Sequence, residues 1–364
     1  FSAGQPDFPT PEIIKRAGIS GIQDDKTGYT AASGTPELKE AVARWMTREV
    51  GVEYSSKQVL VSSGAKFALA AAILATVNPG EEVVFAAPYW VSYPEMVKLA
   101  GGVPRVIETS PADDFKITPD ALKSALGDKT SMVLLNSPSN PTGAVYDESE
   151  LRALAKILAD YPETWIMSDE IYSRLIYGDA RHTSIASLSE ELAAKTIVIN
   201  GVSKAYAMTG WRIGWMTGPT ELISRAGKIQ SHTTSCPSSV SQEAALAAVR
   251  TEEDVVAPMV MEYEKRRDLF ISLLAEISGV KVSPPDGAFY LFCDFRDWLG
   301  KKSSSGVLEG SQDIAAYLLD EAKLAAVPGI AFGTEGYMRF SFACSEDDIR
   351  HGVARLAEAA EKLS

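Results

Sequence analysis

The sequence predicts an α/β protein: a large domain built on a mostly parallel sheet between helices, followed by a smaller α+β unit. Three observations carry this expectation. Short β-branched runs alternate with Ala/Leu-rich stretches through most of the chain, the pattern of βα units whose helices cover both faces of a sheet. Polar and charged motifs collect just past the ends of those runs, where α/β folds gather their ligands. From about Lys281 the pattern changes to the period-two alternation of antiparallel strand.

The elements follow in order. "QVLVS" (58–62) leads into the helical "AKFALAAAILATV", and "EEVVFA" (81–86) into "YPEMVKLAGG". "TSMVLLN" (130–136) precedes "ESELRALAKILAD", and the runs "TWIMSD" (164–169) and "KTIVIN" (195–200) follow. In the last part, "VKVSPPDGAFYLFCDF" alternates as strand, "SQDIAAYLLDEAKLAAVPG" reads as helix and turn, and "YMRFSFAC" as another strand. "KKSSSG" (301–306) is expected as a flexible loop. The final helix opens at Ser345, an N-cap residue followed by acids that suit the positive end of the helix dipole. A chain of 364 residues is too long for one comfortable core.

Bulk properties exclude several functions. A net charge of −13 lacks the basic footprint that nucleic-acid binding needs. No apolar run approaches the ~20 residues of a membrane span. Three scattered cysteines (Cys236, Cys293, Cys344) fit free thiols in a reducing cytosol better than a disulfide scaffold. His182, His232 and His351 are equally scattered, so no metal centre is expected. The chain begins at Phe1 rather than at a methionine, from which we expect a leading segment, and nothing present suggests secretion.

The strand-end motifs carry the chemistry. In "NGVSKAYAMTGWRIGW" (200–215), Lys204 stands in a turn of small residues just past an apolar run. Loss of solvent there would lower its pKa and make it a nucleophile; the alternative is an ordinary surface lysine. The apolar company of Arg212 leads us to expect a buried guanidinium in need of an anion, and a phosphate gripped bidentately suits it. "SSGAKFAL" offers Gly64 between strand and helix, where free N–H groups and the helix dipole hold phosphate. It is not a Walker A loop, and glycine is common at such junctions. Asp169 ends an apolar strand, either as a helix N-cap or as the counter-ion of a protonated heterocyclic nitrogen, with Tyr172 three residues on. Trp90 in "PYW" is a core residue or a stacking platform. "NSPSNPTG" (136–143) is dense in turn formers and suits cis X-Pro bonds. Arg339 lies mid-strand, facing either water or, if inward, a carboxylate.

Together these pieces resemble the class I aminotransferases, the fold-type-I enzymes that use pyridoxal 5'-phosphate (PLP). The likeness runs from "GQPDFPTP" and "GYTAASGTPELKEAVA" through "PYWVSYPEM", "NSPSNPTGAVY" and "SDEIY" to "PDGAFYLF" and "RFSFA". It is nearest to the bacterial aspartate and aspartate/prephenate branch. The resemblance implies a seven-stranded PLP-binding domain over 13–279 and a small domain made of 1–12 and 280–364. It implies that Lys204 holds the cofactor covalently and then shuttles a proton at the substrate Cα. Asp169 would pair with the pyridinium nitrogen, Asn140 and Tyr172 would bond the ring's phenolic oxygen, and Trp90 would stack on its face. Gly64, Ala65, Lys66, Ser203 and Arg212 would hold the phosphate, joined by Tyr29 from a second subunit of a homodimer. Arg339, with Gly4 and Asn140, would take the substrate α-carboxylate.

For the distal carboxylate of an acidic substrate the branch uses a lysine in this loop, which nominates Lys66; the alternative is a helix-start lysine pointing to water. The expected reaction moves an amino group between aspartate or glutamate and a 2-oxo acid, with prephenate a further acceptor. Rival readings are an aromatic or alanine transaminase, a PLP lyase or synthase on the same scaffold, and a noncatalytic sensing module of a transcriptional regulator. The residues that open this sequence show no helix-turn-helix-like pattern, and no G-x-G-x-x-G follows the first strands, which removes a nicotinamide reading.

Overall fold

Seven strands form one sheet: β1 (Val59–Ser62), β2 (Glu82–Ala87), β3 (Val103–Glu108), β4 (Thr130–Asn136), β5 (Trp165–Asp169), β6 (Thr196–Gly201) and β7 (Gly214–Thr217). This computed structural model describes residues 1–304 and 306–364. The spatial order is β1-β7-β6-β5-β4-β2-β3, and β7 alone runs against its neighbours. Val83 and Phe85 face one helical layer while Val84 faces the other; Met132 and Leu134 alternate in the same way with Val133 and Leu135. Burial on both faces is why these strands read as unbroken apolar runs.

Two strands of this sheet escaped the sequence expectation. β3 is the sheet edge, largely exposed and carrying Pro104, which an edge tolerates because no ladder bond is lost. β7 is four residues long and starts at Gly214 inside the "TGWRIGW" motif. A Cβ there would collide with the backbone N of Ala65, so glycine lets the strand close on the helix Ala65–Thr76.

The second sheet contains β8 (Tyr290–Asp294), β11 (Val327–Pro328) and β12 (Tyr337–Ser341), antiparallel in the order β11-β12-β8. Within the segment expected as a loop, β9 (Lys302–Ser303) pairs with β10 (Gly306–Val307); position 305 lies outside the described residues. The helix Glu346–Glu361 is capped as expected, its Ser345 hydroxyl accepting the Asp348 N–H at 3.1 Å. One core runs beneath both sheets, joining Val198 and Trp215 to Phe289, Leu291 and Phe340. The N-terminus is tied to the small sheet: the Phe1 ring packs tilted against Phe270 and edge-on against Phe340, and its carbonyl accepts the Ser341 N–H at 2.7 Å. Ser137–Pro138 and Asn140–Pro141 are cis, as the turn-rich motif suggested, and so is Ala87–Pro88. Among the described residues no helix is long and apolar enough to cross a membrane.

Candidate active site

The carboxyl ends of β4, β5 and β6, the start of the helix Ala65–Thr76, the N-terminal segment and β12 converge on one cavity of about 660 Å³. Lys204 leaves the turn after β6 and is half-buried, with its ammonium enclosed. The Nζ donates to the Gly4 carbonyl and stands 5.5 Å from the centre of the Tyr172 ring. Burial, then the positive charges of Arg339, Arg212 and Lys66, pull its pKa down to about 8, against the opposing attraction of Asp169.

Asp169, the last residue of β5, is 3% exposed. Its Oδ2 accepts the Tyr93 hydroxyl at 2.7 Å and its Oδ1 the Ile171 N–H at 3.3 Å. Burial pushes this carboxyl up to about 6, although the two hydrogen bonds work the other way. The helix N-cap alternative lapses, because the segment that follows is turn rather than helix. Three residues after Asp169, the buried Tyr172 hydroxyl meets that of Tyr290 at 2.9 Å.

The expected phosphate cradle has one correction. Gly64 has φ +85° and precedes the helix Ala65–Thr76, which has no side-chain cap, so its first N–H groups are open to the cavity beside Ala65 and Lys66. Ser203 is buried and lines the same wall. Arg212, expected to be buried, is exposed at the mouth. The αL backbone of that residue (φ +56°) swings the guanidinium over Gly64, where a Cβ would stand 2.5 Å from Nη2. It donates to the Thr209 carbonyl at 2.9 Å and has no carboxylate partner among the described residues. Its need for an anion therefore comes from an unpaired charge at an open mouth, not from desolvation.

Arg339 points inward from β12 and is 7% exposed. Nη1 donates to Asn140 Oδ1 at 2.9 Å and Nη2 to the Ser2 carbonyl at 3.0 Å, while buried Nε has no partner. Its guanidinium lies 4.3 Å from the Tyr290 ring centre. Gly4 lines the cavity, and Lys66 stands at the mouth with Nζ 4.8 Å from the Trp90 ring centre and no ion pair among the described residues. Tyr29 is not among the lining residues and is 95% exposed. The sequence reading missed Tyr93, Tyr290 and Thr209. All three lie inside the sequence motifs, but only the fold reveals that the Tyr93 and Tyr290 hydroxyls meet Asp169 and Tyr172.

A lysine held near neutrality, a carboxyl raised by burial, an open helix N-terminus with an unpaired arginine, and a buried guanidinium define a site for an amino acid and a phosphorylated, protonated heterocycle. The chain belongs to the aminotransferase class I and II family, whose model matches residues 1–356. It is 44% identical to the aspartate/prephenate aminotransferase of Nitrosomonas europaea, spanning 98% of this chain and 90% of that protein. The structure matches the aspartate aminotransferase of Rhizobium meliloti with a TM-score of 0.97 at 41% identity, covering 100% of this chain and 91% of that one. The aromatic aminotransferase of Pyrococcus horikoshii aligns with a TM-score of 0.93 at 37% identity, covering 99% and 95%. The fold is that of fold-type-I aminotransferases, and this chain is a PLP-dependent transaminase. The residues present fit the cofactor: the cradle over Gly64 suits its phosphate, and the orphaned Arg339 Nε suits the carboxylate of a substrate.

Proposed function

We propose that this enzyme transfers an amino group between an acidic amino acid, aspartate or glutamate, and a 2-oxo acid, oxaloacetate or 2-oxoglutarate, with prephenate a further acceptor. The observation that carries the substrate class is Lys66, an unpaired cation across the cavity mouth from the buried Arg339. Two carboxylates of one substrate have two separate cations to meet. The names of the relatives support the same reading.

Bound here, PLP supplies the electron sink for the charge left when an amino acid loses its Cα proton. Lys204 holds the cofactor, and its amine, neutral above about pH 8, moves the proton at Cα. Asp169 meets the ring nitrogen, and Tyr93 keeps that carboxylate oriented. Asn140 and Tyr172 would hold the ring's phenolic oxygen, and Trp90 would stack on its face; all three line the cavity. The N–H groups of Gly64, Ala65 and Lys66, with Ser203 and Arg212, would hold the phosphate, Tyr29 would reach in from the second subunit of a homodimer, and the Lys66 ammonium would be left for the distal carboxylate. Arg339, assisted by Asn140 and Gly4, grips the α-carboxylate. The division into 13–279 and 1–12 with 280–364, and a cytosolic location consistent with three free cysteines, belong to this reading.

A second reading has one observation in its favour: Leu69, Val327 and Phe332 make part of the cavity apolar, which suits an aromatic side chain. The test pairs aspartate, glutamate and tyrosine with oxaloacetate, 2-oxoglutarate and prephenate, for the parent and for Lys66→Ala. Dicarboxylic substrates are expected to lose kcat/KM by about tenfold or more, since a charged hydrogen bond contributes about 1.5–3 kcal/mol, with tyrosine little changed. An equal loss for both classes would remove Lys66 as the discriminator.

A further inference from the structure

Asp169 and Glu170 are consecutive carboxyls that leave the end of β5 on opposite sides, as strand geometry requires. Asp169 enters the cavity; Glu170, 1% exposed, enters the layer beneath. There its Oε1 accepts the Ser168 hydroxyl at 2.7 Å and the Ser184 hydroxyl at 2.5 Å, and its Oε2 bonds His182 Nε2 at 2.9 Å. Its backbone is fixed as well: the N–H donates to Ile199 on β6, and the carbonyl accepts Ser173 N–H, each at 2.9 Å. A carboxyl this deeply buried is costly unless every lone pair is used. A staple for the 182–188 segment does not need an acid, since an amide of the same shape could accept two of the same bonds. The position beside Asp169 gives the charge a use.

We propose that Glu170 is a positioning residue for transamination: held by Ser168, Ser184 and His182, its carboxylate fixes the Asp169–Tyr172 turn and supplies the negative potential that ties Asp169 to its cationic partner. This rests on the reading of Asp169 as the partner of the cofactor ring nitrogen. After burial, the nearby Glu170 charge adds to the upward displacement of the Asp169 carboxyl. The titratable groups around the pair are Tyr93, Tyr172 and Lys204 on the cavity side, and His182, Tyr54 and Glu49 on the other.

The test is Glu170→Gln in the holoenzyme, which preserves shape and removes charge. The expected results are a kcat lower by about tenfold, equivalent to 1.36 kcal/mol, with KM for the amino donor within about twofold. The pH midpoint of the cofactor's visible absorption should move upward by about half a pH unit or more, as a less firmly held ring proton withdraws fewer electrons. Glu170→Asp, which keeps the charge, should return both values toward the parent while lowering the melting temperature. A Gln variant with parental kcat and midpoint, whatever its melting temperature, overturns the proposal. If the Gln variant does not fold, Glu170→Asp decides: parental midpoint and kcat support the role of the charge, and loss of both overturns it. Asp169→Ala is measured alongside. A midpoint it does not move refutes the reading of Asp169 itself, whereas one it moves while Glu170→Gln does not overturns only the role of Glu170.

Discussion

Burial displaces Asp169 and Lys204 in opposite directions, and both displacements oppose stability near neutral pH. The folded-state pKa of Asp169, about 6, lies above its unfolded value, so the group's contribution is full at low pH and lost as pH rises through 6. A displacement of that size amounts to about 3 kcal/mol at pH 7.5. With the cofactor removed, Asp169→Asn is therefore expected to resist urea better than the parent at pH 7.5, with the gap closing below about pH 5; a less stable variant at pH 7.5 would contradict the burial argument. Asp169→Ala should still bind PLP but lose turnover by about a hundredfold or more, since a preorganised charge is removed. Lys204 is lowered to about 8, so its contribution is present above its unfolded pKa and lost as pH falls through 8. Covalent uptake of PLP by the apoenzyme should accelerate as pH rises toward 8 and level off above it, and a rate still climbing about tenfold per pH unit between pH 8 and 9 would show that the amine is not displaced.

At the scale of elements, the helix Ala65–Thr76 and the αL backbone of Arg212 make one device. Its hinge is Gly64, where a side chain meets both an unfavourable φ and the guanidinium 2.5 Å away. Gly64→Ala should weaken PLP binding by about tenfold or more, because a side chain at φ +85° and ψ 159°, a region essentially reserved for glycine, costs of order 1–3 kcal/mol before Arg212 is moved; unchanged binding in a fluorescence titration would mean that this loop does not hold the phosphate. The strand ends were legible in the sequence because buried parallel strands are continuous apolar runs and the functional side chains follow them directly. β3 was not, since an edge strand half in water loses that signature, and neither was the short β7. The outward position of Arg212 was misread because apolar neighbours say nothing about which way a long side chain leaves the chain. Tyr93 and Tyr290 were hidden for another reason: each acts through a partner over a hundred or nearly eighty residues away.

Across the whole molecule, the shared core beneath both sheets and the N-terminal segment bring Gly4, Lys204 and Arg339 to one cavity. Tyr29, exposed in the single chain, is proposed to complete the phosphate site of a second copy. Sedimentation equilibrium should then give twice 39.1 kDa, and Tyr29→Phe should weaken PLP binding without altering that mass; a monomer with full activity would exclude the shared site. The most direct measurement is borohydride reduction of the PLP-loaded enzyme followed by peptide mass mapping. A single phosphopyridoxyl adduct on Lys204 is expected, whereas an adduct on another lysine, or none, would contradict the assignment on which every other role depends.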